Sequence, residues 1–192
     1  MPAAQRVTQS KKILQTALDR ISSKGYANTS MRDIADEAGV ALSQLNYHYK
    51  NKEGLFMEAI DMTIQTYMKE LEAHVMTGNT PKERWQSFIG YFRKMLLDNP
   101  KLFKVLFDFV SMALWSSAYG DKLNSFFRDI ATLIEKNILL DNHLKNKIKK
   151  YNTNAIAQML SSALLGASVQ FLLNPSEMKL LNALDAIELI YE

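Results

Sequence analysis

"TSMRDIADEAGVALSQLNYHYKNKEGL", residues 29–55, sets two short apolar runs on either side of a glycine and ends in a crowd of rings and positive charge. Thr29 and Ser30 offer a cap for a short helix through Met31, Ile34 and Ala35, which Gly39 ends. A second short helix follows at 41–48, and Asn51 can cap another that starts with Lys52 and Glu53. Two short helices joined by a tight glycine turn read as a helix-turn-helix unit. In such a unit the second helix enters the major groove and the first crosses the backbone. Ala35 is small where the helices must cross, and Val40 and Leu45 point inward to hold the angle.

Outward from this stretch the pattern stays helical, with strand alternation scarcely visible. Ile13, Leu14, Ala17, Leu18 and Ile21 recur at helical spacing, predicting a first helix over about residues 7–24 that closes at Gly25. The long helix from Lys52 carries Leu55, Phe56, Ala59 and Ile60 towards Val75, and "MTGNTP" breaks the chain. Thr80, Pro81 and Glu83 form a capping box with proline at the first helical position, so a helix is expected from there to Asp98. Asn99 and Pro100 open another, expected to end near "SSAYG", residues 116–120. An amphipathic stripe over 121–140, a polar basic connector at 141–150, an uncharged helix at 153–173 and an amphipathic segment over 178–191 complete the chain. The expected fold is all-α, with a three-helix helix-turn-helix domain over residues 1–52 and a larger helical bundle over 53–192.

Composition limits the function. The 192 residues are 47% hydrophobic and 22% charged, ordinary for a chain with a buried core. Cysteine is absent, which removes disulfides and thiolate chemistry and fits a reducing, cytoplasmic setting; "MPAAQRVTQSKKIL" lacks the apolar core of a signal peptide. Nothing between Tyr151 and Asn174 is charged, yet Gln158, Ser161, Ser162, Ser168 and Gln170 would be costly against lipid, so a buried helix is expected here and no membrane partner. Residues 1–52 hold eight Lys and Arg against four Asp and Glu, a surplus of +4 in a chain whose total is +3. A basic quarter on a neutral remainder suits a polyanion, nucleic acid first. His48, His74 and His143 are scattered without ligand spacing, and no glycine-rich phosphate loop or nucleophile elbow is present. No enzyme activity, metal or cofactor is therefore expected.

The stretch over residues 10–57 resembles the amino-terminal domain of TetR-family transcriptional regulators: an amphipathic helix, the Thr-Ser cap, "RDIA", "AGV", a leucine five residues on, then an aromatic, "NKE" and leucine. The resemblance implies a dimeric, all-helical repressor on a palindromic operator, with a small-molecule pocket in its carboxy-terminal domain. It also implies roles by position. Thr29 or Ser30 would bring a helix N-terminus to a phosphate. Arg32 would read a guanine edge or hold a phosphate. Leu42 would meet a thymine methyl and Gln44 would pair with adenine. Tyr47, His48 and Lys52 fall where the family places phosphate contacts. Ser43 replaces the usual glycine and Asn46 the usual tyrosine, so either Tyr47 takes over the phosphate contact or Asn46 reads a base, and the resemblance leaves the operator sequence open. Tyr49, at the family's phenylalanine position, reads as a core ring with its hydroxyl reaching the surface.

Aromatic residues crowd the next segment. Trp85, Phe88, Tyr91, Phe92, Phe103, Phe107, Met112, Trp115 and Phe127 fit a helical core, or, with the family resemblance, a pocket for a mostly apolar effector. Asp108 stands within this apolar run, either as an acid suited to a cationic ligand or as a solvent-facing group. The resemblance further implies a four-helix dimer interface from 121–140 and 153–173, with Phe126, Ile130, Ala163, Gly166, Ala167 and Gln170 on it. The competing readings are a DNA-binding activator or architectural factor, and a helical ligand-binding protein that no longer reads DNA. Ser43 and Asn46 are the features that favour the latter.

Overall fold

The computed structural model describes residues 3–139, 151–182 and 184. The connector expected at 141–150 and the far end of the segment expected over 178–191 lie outside the described residues. Every regular element among the described residues is an α-helix: α1 (Ala3–Lys24), α2 (Met31–Ala38), α3 (Leu42–Tyr49), α4 (Lys52–Val75), α5 (Pro81–Asp98), α6 (Pro100–Ala113), α7 (Ser117–Asn137), α8 (Thr153–Leu173) and α9 (Lys179–Asn182). The chain forms two compact units, residues 1–66 with 101–120, and residues 67–100 with 121–192. The first thus extends past residue 52 and takes in α6, which lies far along the chain.

In the first unit α1 buries Ile13, Leu14, Ala17, Leu18 and Ile21 on one stripe, as a 3.6-residue period requires. α2 packs on α1 and α3 on α2, with Ile34, Ala35, Ala38, Leu45 and Tyr49 buried at their centre. Each such aliphatic side chain contributes roughly 1.5–3 kcal/mol by leaving water. α4 adds Leu55, Phe56, Ala59 and Ile60. Arg20 of α1 bridges Asp33 at 3.0 Å and Glu37 at 2.8 Å on α2, which sets the rotation of one helix on the other.

Local chemistry fixes where α2 begins and ends. Ser30 is its N-cap: the Ser30 hydroxyl accepts from the Asp33 N–H, and the Asp33 carboxylate accepts from the Ser30 N–H at 2.9 Å. Thr29 is not the cap. At the other end Gly39 takes φ +71°, a left-handed conformation that a side chain disfavours, while Val40 N–H donates back to the Ala35 carbonyl at 3.0 Å. The helices expected on either side of residues 116–120 meet earlier than the sequence suggests. α6 ends at Ala113, and "SAYG" is the first turn of α7. Tyr119 is the reason, because its ring is fully buried there and draws the segment into the fold.

The joint between α3 and α4 is tight. Lys50 has φ +61° and ψ −50°, and the Asn51 N–H donates to the Tyr49 carbonyl two residues back at 2.6 Å, which is a γ-turn of the strained hand. Such a backbone costs of order 1–3 kcal/mol. Asn51 then accepts from the Gly54 N–H at 2.8 Å. A Cβ on Gly54 would stand 2.5 Å from the Tyr49 carbonyl oxygen, so glycine is required by the approach of α4 to α3.

In the second unit the Thr80–Glu83 capping box with Pro81 at the first helical position starts α5 as the sequence predicts. Trp85, Phe88, Ile89, Tyr91 and Leu96 are buried along it. The Tyr91 hydroxyl donates to Glu70 at 2.5 Å, and the His74 ring stacks on Tyr91 at 4.2 Å. Burial, before the neighbouring carboxylate, pushes the Tyr91 hydroxyl pKa far up. Glu135 at the end of α7 accepts from Thr153 at 2.5 Å and Asn154 at 3.1 Å, tying down the first turn of α8; these bonds hold its carboxyl below the usual range. α8 buries Ala157, Leu160, Ser161, Leu164, Ser168 and Phe171, a single stripe. By length and composition alone it is apolar enough to span a membrane, and about a third of its most apolar stretch is buried. The sequence predicts a buried helix, and the structure buries one side of it, because both sides are apolar and periodicity cannot tell them apart.

Gly54→Ala should lower stability by about 1–3 kcal/mol, the cost of overpacking against backbone, read as a shifted urea midpoint. The Asp33 carboxyl lies below its ordinary pKa, through its bonds to Ser30 first and Arg20 after. Its cap therefore stabilises above the unfolded carboxylate value of about 3.9 and is lost as pH falls through the lower folded value. An NMR titration should show Ser30→Ala returning the Asp33 pKa towards that ordinary value.

Candidate nucleic-acid interface

α3 has eight residues and buries only Leu45 and Tyr49, an i, i+4 pair that covers one narrow stripe. The rest of its circumference is free. Ser43, Gln44, Asn46, Tyr47 and His48 are exposed, Tyr47 to 83%, and Leu42 is half-buried at the helix start. Among the described residues none hydrogen-bonds the side chain of Ser43, Gln44 or Asn46, and the His48 ring stands edge-on to Tyr47 at 5.3 Å. The Tyr49 hydroxyl pairs with the Ser10 hydroxyl at 3.0 Å, so this ring locks α3 onto α1. Burial raises its pKa against the lowering pull of that bond, and the Glu58 charge adds to the rise.

Beside α3 lies a cleft of about 190 Å³ lined by Gln9, Ser10, Ile13, Val40, Gln44, His48, Tyr49 and Glu58. Its Glu58 carboxylate disfavours a phosphate inside the cleft.

Other residues singled out in the sequence are placed less simply. Thr29 is 2% exposed and its hydroxyl donates to the Gly25 carbonyl, so its side chain faces inward and offers nothing to a ligand. Ser30 is exposed, but the Asp33 carboxylate already takes its N–H. Arg32 is exposed on α2. Lys52 is half-buried, and its ammonium donates to the Tyr26 carbonyl at 2.9 Å and the Thr29 carbonyl at 3.0 Å, with the Tyr26 ring 4.1 Å beneath it. Two of its three N–H bonds are therefore spent inside the protein.

The aromatic residues of the expected effector pocket divide between the units. Trp85, Phe88, Tyr91, Phe92 and Phe127 belong to the second; Phe103, Phe107, Met112 and Trp115 belong to the first. Trp85, Phe88, Tyr91 and Phe103 are buried, and Phe92, Phe107, Met112 and Phe127 half-buried. Trp115 is 89% exposed, because it sits on the turn after α6 where no element covers it. Of the expected dimer residues, Phe126, Ile130, Gly166 and Ala167 are half-buried, while Ala163 and Gln170 are exposed.

The sequence reading missed the partner of Asp108. Its carboxylate accepts the Tyr26 backbone N–H at 2.8 Å. A lone acid in an apolar run was the available signal, since such a group needs a donor. The role of Tyr119, whose hydroxyl donates to the Glu53 carbonyl at 3.0 Å, had no signal at all.

Residues 13–59 match the sequence profile of the family described as bacterial regulatory proteins, tetR family. A Bacillus subtilis (strain 168) protein named "Probable HTH-type transcriptional regulator YttP" is 30% identical over 84 residues, which are 42% of this chain and 41% of the relative. The chain thus matches less than half of that relative's length. Among solved structures, a TetR transcription regulator from Haloarcula marismortui ATCC 43049 superposes with TM-score 0.74 at 17% identity, covering 96% of each chain. The structure of a SmeT–triclosan complex gives TM-score 0.70 at 19% identity, covering 94% of this chain and 90% of the other. At these identities the two structures speak for a shared fold. The matched residues run from α1 through the helix-turn-helix into the first turns of α4, so over residues 13–59 the chain is similar to bacterial regulatory proteins of the tetR family.

Proposed function

We propose that the chain is a DNA-binding transcriptional regulator, a repressor that grips a palindromic operator as a homodimer and is released by a mostly apolar small molecule. The observation that carries this reading is the outer face of α3, where Ser43, Gln44, Asn46, Tyr47 and His48 stand exposed while Leu45 and Tyr49 alone anchor the helix. Polar side chains held on a rigid element with no internal partner are what base reading requires. Gln44 is assigned to adenine, Leu42 to a thymine methyl, and Ser43 and Asn46 to neighbouring base edges. Tyr47, His48, Arg32 and Lys50, with the third N–H of Lys52, are assigned to phosphates. Ser30 contributes by fixing where α2 starts.

For the homodimer the support is α8. Its outward side carries Met159 at 60%, Val169 at 37% and Leu173 at 81% exposure beside Ala163 and Gln170, and a Cβ on Gly166 would meet nothing within 4 Å. Small residues facing open space allow a second copy to approach closely across a twofold axis. For the effector the support is the wealth of rings on α5, α6 and α7, together with a relative of the same fold that was solved with the aromatic compound triclosan.

Titration of the full chain with duplex DNA from beside its own gene tests the reading, and an absence of salt-dependent binding would sink it. Within that assay Gln44→Ala should cost about 1–3 kcal/mol and relax preference at one base position, whereas Lys50→Ala should weaken all sequences alike and reduce the salt slope by about one. Val169→Asp should convert a dimer to a monomer in sedimentation while leaving the helical content intact.

A further inference from the structure

We propose that Asp108, on α6, is a positioning residue for DNA reading: by accepting the Tyr26 backbone N–H it fixes the turn between α1 and α2 on which the head of α4, and so the aim of α3, is set. The proposal rests on the reading that α3 meets DNA.

Tyr26 is gripped from several sides within the first unit. Its N–H is taken by Asp108 Oδ2 at 2.8 Å. Its carbonyl receives the Lys52 ammonium at 2.9 Å, and the same ammonium lies over its ring. That ring packs 4.9 Å from Phe56, whose own ring stands 6.2 Å from Tyr119. Tyr119 is fully buried at the start of α7, 5.9 Å from the Phe109 ring of α6. Two further bonds of the turn are local, Thr29 to the Gly25 carbonyl and Asn28 to the Lys24 carbonyl. Asp108 therefore supplies an attachment from 82 residues away, and a carboxylate acceptor makes it one of the stronger kind.

Charge and position predict opposite outcomes. On electrostatics alone, deleting an acid should tighten binding to DNA. If Asp108 positions the turn, Asp108→Ala should bind the operator about tenfold more weakly, the equivalent of one lost hydrogen bond, with random-duplex affinity and salt slope unchanged or slightly raised. Asp108→Asn, whose Oδ1 can accept the same N–H, should recover most of the operator affinity.

The test compares wild type, Asp108→Ala and Asp108→Asn as full chains on operator and random duplex, together with amide hydrogen exchange without DNA. Exchange should quicken at Tyr26 and across α2 and α3 in the alanine variant, and to a lesser degree in the asparagine variant, which remains informative should alanine prevent folding. Operator binding by Asp108→Ala as tight as wild type overturns the proposal, as does exchange that changes at Tyr26 alone or nowhere. Failure of the wild type to bind any duplex would instead remove the DNA-reading role, and the positioning proposal with it, whatever the exchange shows.

Discussion

The Lys52 ammonium, seated on the Tyr26 and Thr29 carbonyls and over the Tyr26 ring, joins the first turn of α4 to the turn after α1. The helix-turn-helix hangs between these two points. α2 enters from the turn through the Ser30 cap, and α3 runs into α4 through the strained Lys50 and the close approach at Gly54. If the ammonium were displaced, two carbonyls would lose their donor and the cation its ring. A lysine that family resemblance assigns to phosphate is thus first a structural tie. One remaining N–H is enough to let it serve both purposes.

Much of this was legible in the sequence, for identifiable reasons. The Thr80–Glu83 box, the Gly39 stop and the apolar stripe of α1 are local signals, each set by residues within a few positions, and the structure places all of them as read. The turn at 116–120 was misread because serine and glycine there suggest a break, whereas a long-range contact buries Tyr119 and starts a helix. Lys50 is a similar case. Lysine carries no preference for positive φ, so only the joint between two helices reveals it. At the candidate interface the exposure of Ser43, Gln44, Asn46 and Tyr47 follows from helical spacing around Leu45 and Tyr49. The inward turn of Thr29 and the partner of Asp108 depend on a segment 82 residues away or on cap geometry, neither of which spacing encodes.

α8 illustrates the opposite problem, a segment whose composition is clear and whose surroundings are not. With no charge on any side, it passes by length and mean hydropathy for a membrane span, a core helix or an interface helix. Burial divides it: Leu160, Leu164 and Phe171 face the unit, and Met159, Val169 and Leu173 do not. The hydroxyls of Ser161 and Ser168, on the buried side, donate to carbonyls of the same helix, so they impose no demand on the core around them.

The side chains that face outward on α3 take no part in holding it. Tyr49, Leu45, Ser10 and Gly54 fix the helix, while Ser43, Gln44, Asn46 and Tyr47 are exposed and hold no side-chain hydrogen bond among the described residues. Substitutions on this face can therefore change its chemistry one residue at a time on an unchanged chassis. The two departures from the common family pattern, Ser43 and Asn46, stand at positions where such drift carries no penalty in folding.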